Sequence, residues 1–461
     1  MTTQPTIDIP GDVLRPGDAD YDSTRAVFNR MIDRRPAAIL RCHGPEDVAR
    51  GIEFAREHDL VIAVRGGGHN VAGNAVCDGG IMLDLSVLKS LEVDPDRRVA
   101  KAGAGLLLGE LDGGTQRHGL ATPLGVMSGT GIAGLTLGGG LGWLNGRHGL
   151  ACDNLISAEV VAADGRILAV GPHDHPDLLW GLRGGGGNLG VVTSFTYRLH
   201  PIGSVLAGGL TYPWAAAADV LRFHHEFMAS APDDLTSAVS LAVGPSGKPT
   251  LSIAVCWCGP PAQGEAVLRP LRDFGDPMVD DIAPRPYLAW QSAPDPGFPL
   301  GRLHYWKSGY LRYLTDAAID TLLLVVTHMP PGSSGIGLQG LRGAASRIAP
   351  DAAAFPHRAP QDDLLILAQW EHDRDSASII AWARDAFVAM RPNLEDAVYV
   401  NNLGAEGPER VLAAYRGNHT RLAELKHTYD PTNVFRMNQN IAPVAVQTGP
   451  PAGHGRTWTR G

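Results

Sequence analysis

The sequence predicts an α+β protein built from two domains. Three observations carry that expectation. Glycine runs crowd residues 65–73, 125–142 and 184–190, and stop by Pro201. Beyond that point helical periodicities alternate with apolar, β-branched stretches, the pattern of an antiparallel sheet backed by helices. The chain has 461 residues, enough for two or three separate cores. The boundary falls near 205. It assigns 1–205 to a first domain, 206–400 to a second, and 401–461 to a C-terminal segment of polar and turn residues.

Taken in order, residues 22–32 read as a short helix capped by Asp22 or Ser23 and stopped at Arg35-Pro36. Residues 37–42 and 60–64 are strands. They flank a helix that opens at Gly44-Pro45-Glu46-Asp47 and runs to Glu57, with Val48, Ile52 and Ala55 on one face. Strands follow at 80–85 and 98–102, then a helix over 109–118 ending at Gly119. Residues 123–126 form a weak strand. Residues 157–170 form a hairpin about Ala163-Asp164-Gly165-Arg166, followed by a helix at 177–183 and a strand at 191–199. In the second domain, helices at 215–231, 262–274, 317–329 and 376–390 alternate with strands at 235–243, 250–258, 305–310 and 364–370. The polar tail from Gly449 is expected to be mobile.

Composition narrows the function classes. A formal net charge of −9 and a pI near 6.0 argue against a nucleic-acid partner or an anionic membrane surface. The five cysteines form no C-x-x-C pair, and Cys256 and Cys258 flank Trp257 on one strand face. That is a reduced thiol set, expected of a cytoplasmic protein, and no metal centre is indicated. The N-terminus lacks a basic-then-apolar leader, and no apolar run reaches membrane-spanning length. Oligomeric state is not legible.

Two stretches match G-x-G-x-x-G, at 129–134 and 185–190. A dinucleotide fingerprint needs a strand before the motif and a helix after it. The second match has the reverse context, and the glycines at 138–140 interrupt a long helix after the first. Glycine turns can still hold phosphate through backbone N–H groups. The stretch Ala63-Val64-Arg65-Gly66-Gly67-Gly68-His69-Asn70 is more informative, because a strand runs directly into three glycines and then an imidazole. Three such glycine-dense segments fit the walls of one elongated ligand better than three isolated turns.

These segments resemble a known family. Val64-Arg65-Gly66-Gly67-Gly68-His69-Asn70, the glycine run from Ser128 to Gly140, and Asp177–Thr193 are similar to the FAD-binding domain of the vanillyl-alcohol-oxidase (PCMH) type. The sequence Tyr429-Asp430-Pro431-Thr432-Asn433 through Asn438-Gln439-Asn440 is similar to the closing motif of berberine-bridge-enzyme-like FAD-linked oxidases. The resemblance spans nearly the whole chain. It implies a PCMH-type core at about 34–203, a substrate domain roofing the flavin, and a closing motif at about 400–442 that returns to the FAD domain.

It also implies roles. His69 matches the histidine that bonds to the flavin 8α carbon. Met127 stands where some relatives carry a second, cysteinyl tether, so a single covalent link is expected. FAD contacts are expected from Arg65, Gly66, Gly67, Gly68, Asn70, Gly73, Gly125, Val126, Gly129, Thr130, Gly131, Gly134, Gly139, Gly142, Val192, Asn438 and Asn440. Thr130 and Leu135 are expected near flavin N5, where oxygen gains access. The implied reaction transfers a hydride from a substrate C–H to N5, with reoxidation by molecular oxygen to hydrogen peroxide. The proton acceptor stays open. Many relatives read Tyr-x-Asn-Tyr, and this chain reads Tyr399-Val400-Asn401-Asn402, which leaves an amide at the usual tyrosine position. Tyr399, Asn402, Tyr305 and Glu371 are candidates, with Tyr310, His372 and His148 behind them. Trp143, Trp290, Trp306 and Trp370 suit an aromatic or glycosidic small molecule. Three other readings stand beside this one: a flavin dehydrogenase with another acceptor, a nicotinamide-dependent dehydrogenase, and a non-catalytic flavin-binding protein.

Overall fold

The computed structural model of the chain describes residues 10–332 and 334–444. Its first sheet has four strands, ordered Asp12–Leu14, Ala38–Arg41, Ile81–Asp84, Ile62–Arg65, and the last three are parallel. The helix Pro45–Glu57 makes the crossover, with proline in its first turn and two acidic residues beside it. Val48, Ile52 and Ala55 are buried, as their spacing predicts. Gly51 lets the helix settle on the sheet, since a Cβ there would lie 2.5 Å from a Leu83 methyl.

The second sheet is antiparallel, ordered Leu91–Asp94, Val99–Gly103, Val191–Arg198, Leu155–Val161, Ile167–Val170. Both sheets share one apolar core. The third sheet has eight strands. Its path runs Val279–Asp280, Ser204–Tyr212, Pro249–Trp257, Leu235–Val243, Gly335–Leu341, Gln361–Trp370, Leu303–Leu311, and Ala283–Pro286 also pairs with Ser204–Tyr212. The helices Ala217–Ser230, Pro261–Asp273, Asp316–Thr327 and Ser376–Met390 bury their apolar faces with it in a second core. Alternate side chains of the inner strands leave the opposite face for the site described below.

Four expectations need correction. The helix at 22–32 is confined to Tyr21–Arg25, because Ala26 turns extended and carries Phe28 inward. No strand forms at 123–126. The strands Ser204–Tyr212 and Gly335–Leu341 escape the sequence pattern because their glycines read as turns. One of these, Gly208, is needed where Ile282 crosses, since a Cβ would lie 2.5 Å from its Cα. The C-terminal segment contains two helices, Pro408–Tyr415 and His419–Tyr429, whose Val411, Tyr415, Leu422 and Leu425 join the first core. The tail from Gly449 lies outside the described residues. Among the described residues no helix is long and apolar enough to cross a membrane, and all five cysteines are free.

Candidate active site

A cavity of about 890 Å³ lies between the glycine-rich turns and the open face of the eight-stranded sheet. Small-molecule sites run to roughly 1,000 Å³, so this one is large. Its floor comes from Gly66–Asn70, Gly125–Met127, Thr130, Gly131, Gly134, Leu135, Gly186, Gly187 and Gly190–Val192. Its roof is the opposite face of the sheet from the helices, with Ala238, Ser240, Gln339, Asp363, Leu365, Leu367 and Gln369.

The floor explains the glycines. The turn after Ile62–Arg65 meets the 129–134 segment backbone to backbone, and a Cβ on Gly67 would lie 2.5 Å from Gly131 Cα. Gly68 adopts a φ of +67°, which favours glycine. Together these turns present a surface with no side chains between backbone and ligand. The third segment contributes Gly186 and Gly187.

Of the residues expected to meet the cofactor, Gly66, Gly67, Gly68, His69, Asn70, Gly125, Val126, Thr130, Gly131, Gly134, Val192 and Asn438 line this cavity. Arg65, Gly73, Gly129, Gly139, Gly142 and Asn440 do not. Arg65 turns away, donating to the Thr24 carbonyl. Gly73 packs on Ile32, Gly139 on Phe355 and Tyr399, and Gly142 against the Leu124 and Gly125 carbonyls. Gly138, a neighbour in the motif, lines the cavity instead of Gly139.

His69 lines the cavity at the edge of the floor. Its ring stacks on Phe28 at 3.8 Å between centroids, and Phe28 stacks on His304 at 4.1 Å. Burial lowers the His69 pKa to about 4, so the imidazole is neutral at pH 7 and keeps a lone pair. Met127 packs nearby with Phe28, Trp306, Leu365 and Leu367.

The closing segment adds Phe435, Met437, Asn438 and Gln439 to the lining. Lys426 and Asp430 form a wholly buried pair at 2.6 Å. Lys426 Nζ also donates to the Asn188 and Phe435 carbonyls, and Asp430 accepts from the Val434 and Phe435 amides. This knot aims Asn438, whose Nδ2 donates to the Gly187 and Phe435 carbonyls. Its Oδ1 is buried and unpartnered, as is Asn440 Oδ1. A buried acceptor without a donor costs about 1–3 kcal/mol, and a ring N–H of a bound group would remove that cost at Asn438. The glycine cradle, the cavity volume and this orphan acceptor together fit an elongated, flat-ringed dinucleotide.

The candidate proton acceptors scatter. Tyr399 lines the cavity, but its hydroxyl accepts from Gly140 N and Asn401 Nδ2, both at 2.8 Å, and burial raises its pKa. Asn402 also lines it and donates to Asp363 Oδ2 at 2.6 Å. Tyr305 faces the helices and takes a hydrogen bond from Arg384. Glu371 lies beyond the strand end, exposed and paired with Arg302 at 3.3 Å. The structure therefore brings Tyr399 and Asn402 to the cavity and leaves Tyr305 and Glu371 away from it. Lys307, on the same strand face as Tyr305, pairs with Glu406 and not with the cleft. Tyr310 is buried behind the lining, His148 stacks on His200 at 3.9 Å, and His372 is exposed. Trp143 and Trp306 line the cavity, whereas Trp290 packs behind Trp143, and Trp370 turns to the helices and bonds Ser376.

The residue missed by sequence reasoning is Asp363. Burial pushes its carboxyl up to about 7, against hydrogen bonds from Ser308 and Asn402 that lower it. Its signal was available, because alternation along Gln361–Trp370 puts 363, 365, 367 and 369 on one face, and 363 is the carboxylate among them.

Comparison with known proteins gives independent findings. A family model described as FAD binding domain matches residues 36–171, and one described as berberine and berberine like matches 398–442. An FAD-linked oxidoreductase of Dictyostelium discoideum is 32% identical, with 95% of each chain covered. The (R)-6-hydroxynicotine oxidase of Paenarthrobacter nicotinovorans is 30% identical over 95% of this chain and 98% of its own. The crystal structure of 6-hydroxy-D-nicotine oxidase from Arthrobacter nicotinovorans superposes with a TM-score of 0.89 at 29% identity, covering 95% of this chain and 99% of that one.

Proposed function

The chain belongs to the FAD-linked oxidoreductases of the berberine-bridge type, and from that premise we propose that it is an oxidase of a small-molecule alcohol or amine C–H. The observation that carries this reading is the cradle itself. Two glycine turns in backbone contact, His69 and the unpartnered Asn438 Oδ1 line one cavity beneath the sheet. Bound FAD would supply a two-electron acceptor for a substrate hydride, with oxygen as the final acceptor and hydrogen peroxide as its product.

The chain's own residues divide the remaining work. The backbone of 66–70, Gly131 and Gly134 would hold the cofactor, whereas the Thr130 and Ile132 amides are already bonded to the Met127 and Leu106 carbonyls. Neutral His69 is suited to a single covalent tether, with Phe28 fixing its ring plane and Met127 unable to form a second bond. Thr130 and Leu135 border the same space and bear on oxygen access. We assign cofactor binding to 1–205 and 401–461, and the substrate wall to 206–400. Relatives by fold or sequence are named for 6-hydroxynicotine, xylooligosaccharide and chitooligosaccharide oxidation, and one was solved with reticuline. The free thiols suit a reducing compartment.

The test is direct. Acid-denatured protein should keep flavin fluorescence on a denaturing gel, and His69→Ala should release it; a flavin that stays bound to the variant rejects the tether. Oxygen uptake matched by peroxide during turnover supports the oxidase. Turnover only with a dye acceptor makes it a dehydrogenase.

A further inference from the structure

We propose that the segment Phe28–Arg30 is the positioning element for flavin attachment at His69. Phe28 sets the imidazole, and Asn29 fixes Phe28 by locking the segment to the edge strand of the eight-stranded sheet. Attachment then proceeds only while floor and roof are docked. The proposal rests on the reading of His69 as the flavin tether.

Three observations carry it. The first is a stack of three rings. Phe28 lies between His69, at 3.8 Å and 18° between planes, and His304, at 4.1 Å and 22°. His69 belongs to the glycine turn of the floor. His304 belongs to Leu303–Leu311, the last strand on the path of the roof sheet. One ring from a third segment therefore joins the two. Turning the imidazole about its Cβ–Cγ bond would break this face-to-face contact.

The second is the main-chain hold on that ring. The Phe28 amide donates to the Gly68 carbonyl at 3.0 Å, and the Arg30 amide donates to the Arg302 carbonyl at 2.9 Å. The segment is bonded on one side to the residue before the histidine and on the other to the start of the edge strand.

The third is Asn29, which is 3% exposed. Its Nδ2 donates to the Val71 carbonyl at 2.9 Å and to the His304 carbonyl at 3.0 Å. Its Oδ1 accepts from the His304 amide at 3.0 Å and the Met31 amide at 3.1 Å. A carboxamide has two N–H donors and two acceptor lone pairs, and all four are used. At His304 the side chain stands in for a neighbouring strand, covering the N–H and C=O that a sheet edge leaves open.

His304 contributes a ring and not a proton. Both its nitrogens are buried without a partner, burial lowers its pKa to about 3, and Phe28 separates it from His69. Trp306 stands edge-on to Phe28 and His304, at 6.2 and 5.9 Å, and walls the stack.

Attachment breaks one C–H of the flavin 8α methyl and the imidazole N–H, and forms one C–N bond. The two hydrogens and the electron pair go to molecular oxygen, the oxidant, giving hydrogen peroxide. A misplacement of about 1 Å between reacting atoms costs on the order of 100-fold in rate, so the plane and position of the imidazole govern how much flavin becomes attached.

The test uses the protein as purified with its flavin. Absorbance gives total flavin, and the mass of the denatured chain with its fluorescence on a denaturing gel gives attached flavin. Phe28→Leu and Asn29→Ala should fold and bind flavin, but the ratio of attached to acid-released flavin should fall roughly tenfold or more. Phe28→Tyr, which keeps the ring, should hold the parent ratio. His304→Phe, which keeps the stack and removes the imidazole, should hold it too. Asn29→Ala carries the test alone if Phe28→Leu does not fold. Parent ratios in both Phe28→Leu and Asn29→Ala overturn the proposal. So does a fall in total flavin with the ratio unchanged, which marks a merely structural role. Loss of attachment in His304→Phe alone overturns it in favour of chemistry by that imidazole. Complete release of flavin from the parent by acid instead rejects the tether reading, and the proposal with it.

Discussion

Single residues set the tolerance of the cofactor cradle. Gly131 and Gly67 approach so closely that no side chain fits between them. Gly131→Ala must push one turn away from the other. Overpacking of this kind costs about 1–3 kcal/mol, and the displaced amides would no longer converge on one ligand. The expected outcome is a folded protein with a lowered Tm and a flavin content well below parent, read from the ratio of flavin to protein absorbance. At Gly129 a Cβ would meet nothing within 4 Å, so Gly129→Ala should keep the parent flavin content.

At the scale of the element, the closing helices act on the site through one ion pair. His419–Tyr429 ends on Asp430, and Lys426 and Asp430 are both fully buried. Lys426→Met leaves an uncompensated carboxylate and removes three donors from the turn that aims Asn438. Breaking one side of a buried pair costs about 3–5 kcal/mol, so Tm and flavin retention should both fall. Replacing both partners by apolar residues should recover much of the stability. It should not restore flavin retention, because the Val434 and Phe435 amides still lose their acceptor. Chemical denaturation and flavin release, measured on the same samples, separate the two effects.

At the scale of the molecule, acid should unfold the protein through its buried imidazoles. His224, His304 and His357 lie in the interior, and burial lowers each pKa to about 3. The unfolded chain takes up these protons near 6.5 while the native state refuses them. Below that pH stability therefore falls, by about 1.4 kcal/mol per unit for each group. Asp112, Asp362 and Asp363 work the other way, since burial raises their pKa values and so lowers stability as pH rises above about 4, but His69, His148, His200 and His419 are lowered too, which sets three carboxyls against seven imidazoles. Tm should decline steeply between pH 6.5 and 4. Replacing His304 by Gln should flatten that decline; an unchanged slope would show that another group controls it.

Local chemistry was legible in the sequence wherever it depends on neighbours along the chain. The strand into Gly66-Gly67-Gly68-His69, the helix Pro45–Glu57, the hairpin read at 157–170 and the four helices between 215 and 390 follow from spacing, turn residues and side-chain period. The glycine floor of the cavity follows too, because backbone that must touch a ligand excludes side chains. What only the tertiary structure decided is which polar groups meet. Tyr305 and Glu371 read as well as Asp363 along the strands, until the helices covered one and the strand end exposed the other. The helices after residue 407 look polar because half of each faces water, and their buried half is defined only by the core they close. Asn402 gains its meaning from a carboxyl 39 positions away. Burial and long-range pairing fix the charge state and orientation of such groups, and neither is a property of a residue's neighbours in sequence.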